Sequence, residues 1–138
     1  MKKKILFVCV HNSARSQMAE AFINQLAPDR FIAQSAGLEP GTLNPVVVVA
    51  MKEIGFDISN HKTKSVQDVL KTGQFDFVIT VCDEASAQRC PVFPGTGERI
   101  HMAFPDPSTI QGSFDEKLNK TRQIRDQIRA ALEQWLKN

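Results

Sequence analysis

The sequence predicts an α/β fold: a three-layer sandwich in which a mostly parallel sheet of about four strands is flanked by helices on both faces. Three observations predict it. Short apolar runs alternate along the chain with segments whose apolar residues recur at helical spacing. The first run, Lys4-Ile5-Leu6-Phe7-Val8, is continuously apolar, as in a strand buried on both faces of a parallel sheet. Capping signals mark where helices begin.

The first strand ends at Cys9. Polar residues follow, then Met18, Ala19, Phe22, Ile23 and Leu26 at the spacing of an amphipathic helix. Arg30 to Ser35 reads as a second strand, stopped by Gly37. Asn44-Pro45 is a helix cap with proline at the first helical position. The run Val46 to Val49 has strand propensity, but Ala50, Met51, Ile54 and the stop at Gly55 favour a helix. Ser65 to Lys71 is a short helix, Phe75 to Val81 a strong strand and Arg99 to Ala103 a weaker one. Ser113-Phe114-Asp115-Glu116 has the form of a capping box. It opens a long helix with Leu118, Ile124, Ile128, Ala131, Leu132, Trp135 and Leu136 on one face and a charged, solvated face opposite. There is no internal repeat or low-complexity segment, so one domain over residues 1–138 is expected.

The composition, 42% hydrophobic and 23% charged, is that of an ordinary soluble globular protein. The net charge is only +2, with Lys and Arg spread along the chain, which does not mark a nucleic-acid partner. The basic head Met1-Lys2-Lys3-Lys4 precedes an apolar run broken by His11, Asn12, Ser13 and Arg15, too short for a signal peptide. No window approaches a membrane span, so the expected location is the cytoplasm, with no membrane partner. Three cysteines, Cys9, Cys82 and Cys90, are an odd number, which argues against a structural disulfide framework in a reducing compartment. They can be reactive thiols, inert buried thiols or a mixture. The chain contains no tyrosine.

The stretch after the first strand carries the chemistry. Cys9 is followed by Val10-His11-Asn12-Ser13-Ala14-Arg15-Ser16 and then a helix. A thiol, several backbone N–H groups, a guanidinium and hydroxyls therefore gather at a helix N-terminus, which binds anions through its unpaired donors and dipole. The same positive field favours a thiolate. Arg15 can fork two hydrogen bonds onto a tetrahedral oxyanion, and Ser13 and Ser16 can donate to the sulfur or shape the loop. A thiolate facing a bound oxyanion is set up for in-line attack on its central atom. In open α/β sheets such ligands sit at the carboxyl ends of the strands.

Residues Cys9 to Glu20, Cys-Val-His-Asn-Ser-Ala-Arg-Ser-Gln-Met-Ala-Glu, resemble the phosphate-binding loop of low-molecular-weight protein tyrosine phosphatases. They are more similar still to the thioredoxin-coupled arsenate reductases built on that fold, where Arg-Ser-Gln-Met-Ala-Glu is typical. Ser35-Ala36-Gly37, Leu43-Asn44-Pro45, Gly55-Phe56-Asp57-Ile58-Ser59 and Asp106-Pro107 match as well, so the resemblance spans nearly the whole chain. It implies that Val10, His11, Asn12, Ser13, Ala14, Arg15 and Ser16 bind arsenate, with phosphate and sulfate as competing oxyanions. No cofactor and no metal are expected: His11, His61 and His101 are isolated and match no zinc spacing with Cys82 and Cys90.

Cys82 directly follows the strand Phe75 to Val81, so it lies at a strand carboxyl end as Cys9 does, and both can face one crevice. Cys90 comes eight positions later. In a continuous helix that separation is roughly 12 Å, whereas a disulfide needs Cα atoms about 4.4–6.8 Å apart. Bridging Cys82 and Cys90 therefore requires residues 83–89, with small Ala85, Ser86 and Ala87, to loop or unwind. The resemblance implies a relay: Cys9 attacks arsenate, Asp106 protonates the departing oxygen, a Cys9–Cys82 disulfide forms as arsenite leaves, and Cys90 moves it to Cys82–Cys90. Thioredoxin or a similar dithiol would then reduce that bond.

The chain departs from the family pattern in four places. Ala14 stands where many relatives have Cys, and His11 where Gly is usual, which can alter the loop's geometry or rim charge. The Cys82 to Cys90 spacing is one residue longer than in the best-known relatives. Some relatives bind potassium through residues matching Asn12, Glu20 and Ser35 plus an Asp, where this chain offers Lys64, so no required potassium is expected. Phe104 and Phe93 read as core or crevice wall, Arg99 and Arg89 as surface charges, with Arg89 able to favour a nearby thiolate. Two other functions compete: phosphotyrosine hydrolysis, and a non-catalytic oxyanion-binding or redox-sensing domain. The first is weakened by Ser108-Thr109 following Asp106-Pro107, where the phosphatases usually carry tyrosines.

Overall fold

The computed structural model describes residues 2–82 and 97–137. Four strands, β1 (Lys3–Cys9), β2 (Phe31–Gly37), β3 (Phe77–Thr80) and β4 (Glu98–His101), form one parallel sheet in the order β2-β1-β3-β4. From β1 the chain steps outward to β2, then crosses back past β1 to β3. The switch point of the sheet therefore lies between the carboxyl ends of β1 and β3, where open α/β sheets place their crevice.

The unbroken apolar run in β1 is explained by its two faces. Ile5, Phe7 and Cys9 enter the larger core with α1 (Arg15–Leu26), α2 (Pro45–Lys52) and α4 (Phe114–Leu136), through Met18, Phe22, Met51, Ile128 and Leu132. Leu6 and Val8 point the other way, into a smaller core with Ala36 and Val78, covered by Val66 and Val69 of α3 (Val66–Leu70). Strand alternation thus builds the expected three layers from one central strand.

Several boundaries move, each for a local reason. Gly37 ends β2 as its last residue and pairs with Cys9, so the strand runs two residues beyond Ser35. The β3 ladder is shorter than the apolar run Phe75 to Val81. Phe75 is buried outside it, and the Asp76 carboxylate accepts from the Lys4 backbone N–H at 2.8 Å. β4 begins at Glu98 and ends at His101, not Ala103. The valine run of α2 is helical because Asn44 Oδ1 accepts from the N–H groups of Val46 at 2.9 Å and Val47 at 3.4 Å, with Pro45 in the first turn. In α4 both capping-box bonds form: Glu116 N–H to Ser113 Oγ at 3.1 Å and Ser113 N–H to Glu116 Oε1 at 3.4 Å.

The charged face of α4 is not wholly solvated. Arg125 is 8% exposed and donates to the Ala50 carbonyl at 2.8 Å and to Glu53 Oε1 at 3.2 Å. Arg122 forks onto the same carboxylate. Hydrogen bonds from Arg122 hold the Glu53 carboxyl below its ordinary range, and Arg125 adds to the effect. Helices α2 and α4 are therefore pinned by an arginine pair as well as by apolar packing. Among the described residues no helix is long and apolar enough to cross a membrane.

Candidate active site

The loop from Cys9 to Arg15 runs off the carboxyl end of β1 with its carbonyls turned outward. Those of Cys9, Val10, His11 and Ser13 accept from the N–H groups of Leu38, Glu39, Gly41 and Asn44 at 3.1, 2.7, 2.9 and 2.9 Å. The Asn12 carbonyl accepts from Gln17 Nε2 at 3.1 Å. A trans peptide sends the next N–H opposite to its carbonyl, so the amides of residues 10–14 turn inward. Asn12 N–H is 3.2 Å from Cys9 Sγ, as this geometry requires. Asn12 also takes the left-handed φ of 53°, a conformation its short polar side chain tolerates. His11 keeps an ordinary φ, so the loop's strained position is Asn12, not the site of the Gly-to-His difference.

Gly37 permits this arrangement. A Cβ there would lie 2.8 Å from the Val10 carbonyl oxygen and 2.9 Å from Asn12 N. The residue reads in the sequence as a strand stop, yet its bare backbone is what lets the loop close over β2.

Cys9 Sγ lies 2.9 Å from Ser16 Oγ. Asn12 Nδ2 donates to that oxygen at 2.7 Å, leaving the Ser16 hydrogen for the sulfur. The sulfur therefore receives an N–H and an O–H. The thiol is 2% exposed and free. The Ser13 and Val10 carbonyls are thus braced from outside the loop, and the Ala14 carbonyl accepts from the Met18 N–H of α1 at 3.0 Å.

α1 starts at Ala14 with no side-chain cap. The three other described helices and the 3₁₀ turn Pro107–Thr109 are capped by Asn44, Ser65, Ser113 and Asp106. The first-turn donors of α1 are thus left to a ligand. Arg15 is 4% exposed and donates Nη1 to the Phe104 carbonyl at 3.2 Å. Its Nη2 lies 3.5 Å from Asp106 Oδ2, and its buried Nε has no hydrogen-bond partner. Asp106, which local spacing alone could not connect to the loop, is so brought to it by Arg15. Phe104 belongs to the larger core and supplies the backbone anchor.

Cys82 is the second cysteine of the site region, 1% exposed, in the same apolar cluster as Cys9. Val8 pairs with Thr80 and the Val81 N–H donates to the Val8 carbonyl at 2.9 Å, so both thiols sit at the carboxyl ends of adjacent strands. Cys90 lies outside the described residues, as do Arg89, Phe93 and the segment 83–89. Arg99 is exposed on β4.

Behind the loop lies a polar layer that periodicity does not show. Gln17 is fully buried and donates Nε2 to Asn12 Oδ1 and to the Lys62 carbonyl, both at 3.1 Å. His61 is not isolated: its Nδ1 is 3.0 Å from Gln17 Oε1 and 3.3 Å from Glu20 Oε2. Ser35 Oγ donates to Glu20 Oε1 at 3.0 Å, and Lys64 Nζ lies 3.8 Å from the same oxygen. The apolar spacing of α1 predicts an amphipathic helix, and Gln17 is the polar residue it carries on the buried face. His101 Nδ1 pairs with Thr80 Oγ1 at 2.7 Å. Among the described residues, no three His, Cys, Asp or Glu side chains are grouped to hold a metal ion.

The arrangement offers a sulfur, a ring of inward amides, a buried guanidinium and a carboxyl at one crevice: the parts needed to hold a tetrahedral oxyanion and attack it. The model of the family described as low molecular weight phosphotyrosine protein phosphatase matches residues 4–138. The chain belongs to this phosphatase family. Within it, the chain is 42% identical over 128 residues to an arsenate reductase of Halalkalibacterium halodurans, covering 92% of this chain and 90% of the relative. This family member also superposes on a solved arsenate reductase in its phosphate-binding state, with TM-score 0.75, 29% identity, and coverage of 98% and 96% of the two chains. A thioredoxin-dependent arsenate reductase of Corynebacterium glutamicum superposes with TM-score 0.65 and 27% identity, covering 99% of this chain and 64% of the other.

Proposed function

We propose that this chain reduces arsenate to arsenite by a relay of three thiols, Cys9, Cys82 and Cys90, restored by thioredoxin or a similar dithiol. The observation that carries the reading is the loop from Cys9 to Arg15 itself: the Asn12 N–H points at the Cys9 sulfur, the N-terminus of α1 is uncapped, and the buried Arg15 at its start lies 3.5 Å from Asp106. The named relatives support the substrate, and the Corynebacterium glutamicum reductase supports the reductant.

In the first step the Cys9 thiolate attacks arsenic. An S–As bond forms, an As–O bond breaks, and the oxygen leaves as water with a proton from Asp106. Arg15 and the loop amides hold the remaining oxygens. Next the Cys82 thiolate attacks the Cys9 sulfur. The S–S bond forms, the S–As electron pair stays on arsenic, and arsenic(V) leaves as arsenite, arsenic(III). Cys90 then attacks Cys82, freeing Cys9. The dithiol partner finally reduces Cys82–Cys90 and is itself oxidised. Weak hydrolysis of small aryl phosphates follows from the same loop, because its donors fit phosphate equally well, and phosphate and sulfate compete with arsenate. Lys64, 3.8 Å from Glu20, supplies the positive charge behind the loop, so turnover needs no potassium. Equal rates in sodium and potassium buffers are expected.

Single-turnover assays of the reduced protein test the relay. Cys9→Ser is expected to form no arsenite. Cys82→Ser is expected to stop with arsenic still bound to Cys9, and Cys90→Ser to release arsenite once and stall as a Cys9–Cys82 disulfide. Sustained turnover by Cys82→Ser with thioredoxin present would contradict the reading.

A further inference from the structure

Asn44 touches three parts of the site that lie far apart in sequence. Its backbone N–H donates to the Ser13 carbonyl at 2.9 Å, in the anion loop. Its Oδ1 caps α2, accepting from Val46 and Val47. Its Nδ2 donates to Ser108 Oγ at 3.0 Å. The Ser108 N–H in turn donates to Asp106 Oδ1 at 2.9 Å, and Asp106 Oδ2 faces Arg15 Nη2 at 3.5 Å. A closed circuit results: Ser13, Asn44, Ser108, Asp106, Arg15 and back along the chain to Ser13.

We propose that Asn44 is a positioning residue that sets where the Asp106 carboxyl stands relative to the anion loop. The inference rests on Asp106 being the proton donor of the first step. Asp106 sits on a connection, at the start of a single 3₁₀ turn, with no strand to fix it. Arg15 alone would draw the carboxylate into an ion pair. The link through Ser108 holds the turn from the opposite side. The amide of Asn44 suits this task because it is planar: once Oδ1 is committed to the helix cap, the direction of Nδ2 is fixed. The backbone bond to Ser13 refers that direction to the loop that holds the substrate. Proton transfer needs heavy atoms about 2.6–3.2 Å apart, so a small drift of this turn is costly.

Two variants separate this role from a structural one. Asn44→Ser keeps a good helix cap and the backbone bond but is too short to reach Ser108. Ser108→Ala leaves the cap untouched and removes the acceptor. In single-turnover arsenate reduction each is expected to slow arsenite formation roughly tenfold, part of the ~10²–10⁴ that a general acid supplies. Arsenate affinity and the melting temperature are expected to stay at wild-type values, and Ser108→Thr, which keeps the hydroxyl, to retain the rate. In an Asp106→Asn background neither variant is expected to slow the reaction further. Wild-type rates for Asn44→Ser and Ser108→Ala, with Asp106→Asn impaired, overturn this inference alone. The same fractional loss in the Asp106→Asn background also overturns it. An Asp106→Asn protein with the wild-type rate overturns the proton-donor assignment and this inference with it.

Discussion

Gly37 is a residue whose importance lies in what is missing from it. Its α-carbon packs under the anion loop, and an added methyl would meet the Val10 carbonyl and the Asn12 amide, both backbone atoms that have no free rotamer to escape into. Gly37→Ala is expected to push the loop off β2, costing about 1–3 kcal/mol of stability as overpacking does and weakening oxyanion binding. Denaturant titration and phosphate protection of Cys9 against alkylation would read the two effects. Ser16→Ala removes one of the two donors at the sulfur; a drop in the alkylation rate of Cys9 near neutral pH is expected, with the fold retained. At this scale the sequence was legible for Cys9, Arg15 and Ser16, because a strand, a loop and a helix start frame them. For Gly37 it showed the strand end but not the close approach of the loop, since a glycine at a strand end has the same signature whether or not it also admits a neighbour. Asp106 was legible only by resemblance, because 91 positions separate it from Arg15 and no local period links them.

Capping accounts for most of the elements that the sequence announces. Asn44 and Ser113 accept the bonds their positions foretell, Ser65 caps α3 instead of lying inside it, and the valines of α2 follow their cap against their own strand preference. Replacing Ser113 with Ala is expected to cost about 1 kcal/mol in urea unfolding while arsenate reduction proceeds at the wild-type rate. The contacts between elements were less legible. The brace of residues 38–44 along the anion loop consists of backbone bonds, which any sequence can make, and the Gln17–His61–Glu20 layer joins residues from two segments. Arg122 and Arg125 read as solvated charge because a helical wheel does not show that Glu53 waits across the α2–α4 seam. Their hydrogen bonds lower the Glu53 pKa, led by Arg122, so the folded state binds its proton less tightly than the unfolded chain. The stability this contributes is present above the ordinary carboxylate range and is lost as pH falls through the folded value. Glu53→Gln is therefore expected to melt below the wild type at neutral pH, with the gap closing in acid.

For the whole molecule, the order β2-β1-β3-β4 matters most. The chain leaves β1 in one direction and returns to β3 on the other side, so the two strand ends that carry Cys9 and Cys82 open at one crevice. A strand-and-helix alternation in the sequence gives parallel strands but not their order, and that order is what turns two thiols 73 positions apart into neighbours in one core. The proposed relay needs a second thiol beside the anion loop, and Cys82 lies just past the end of the adjacent strand. Fully reduced protein, mixed with arsenate and no external reductant, provides the most direct test of the relay. The account calls for one arsenite per chain and a single disulfide, mapped by mass spectrometry between Cys82 and Cys90. No arsenite, or arsenite formed while Cys82 and Cys90 both stay reduced, would contradict it.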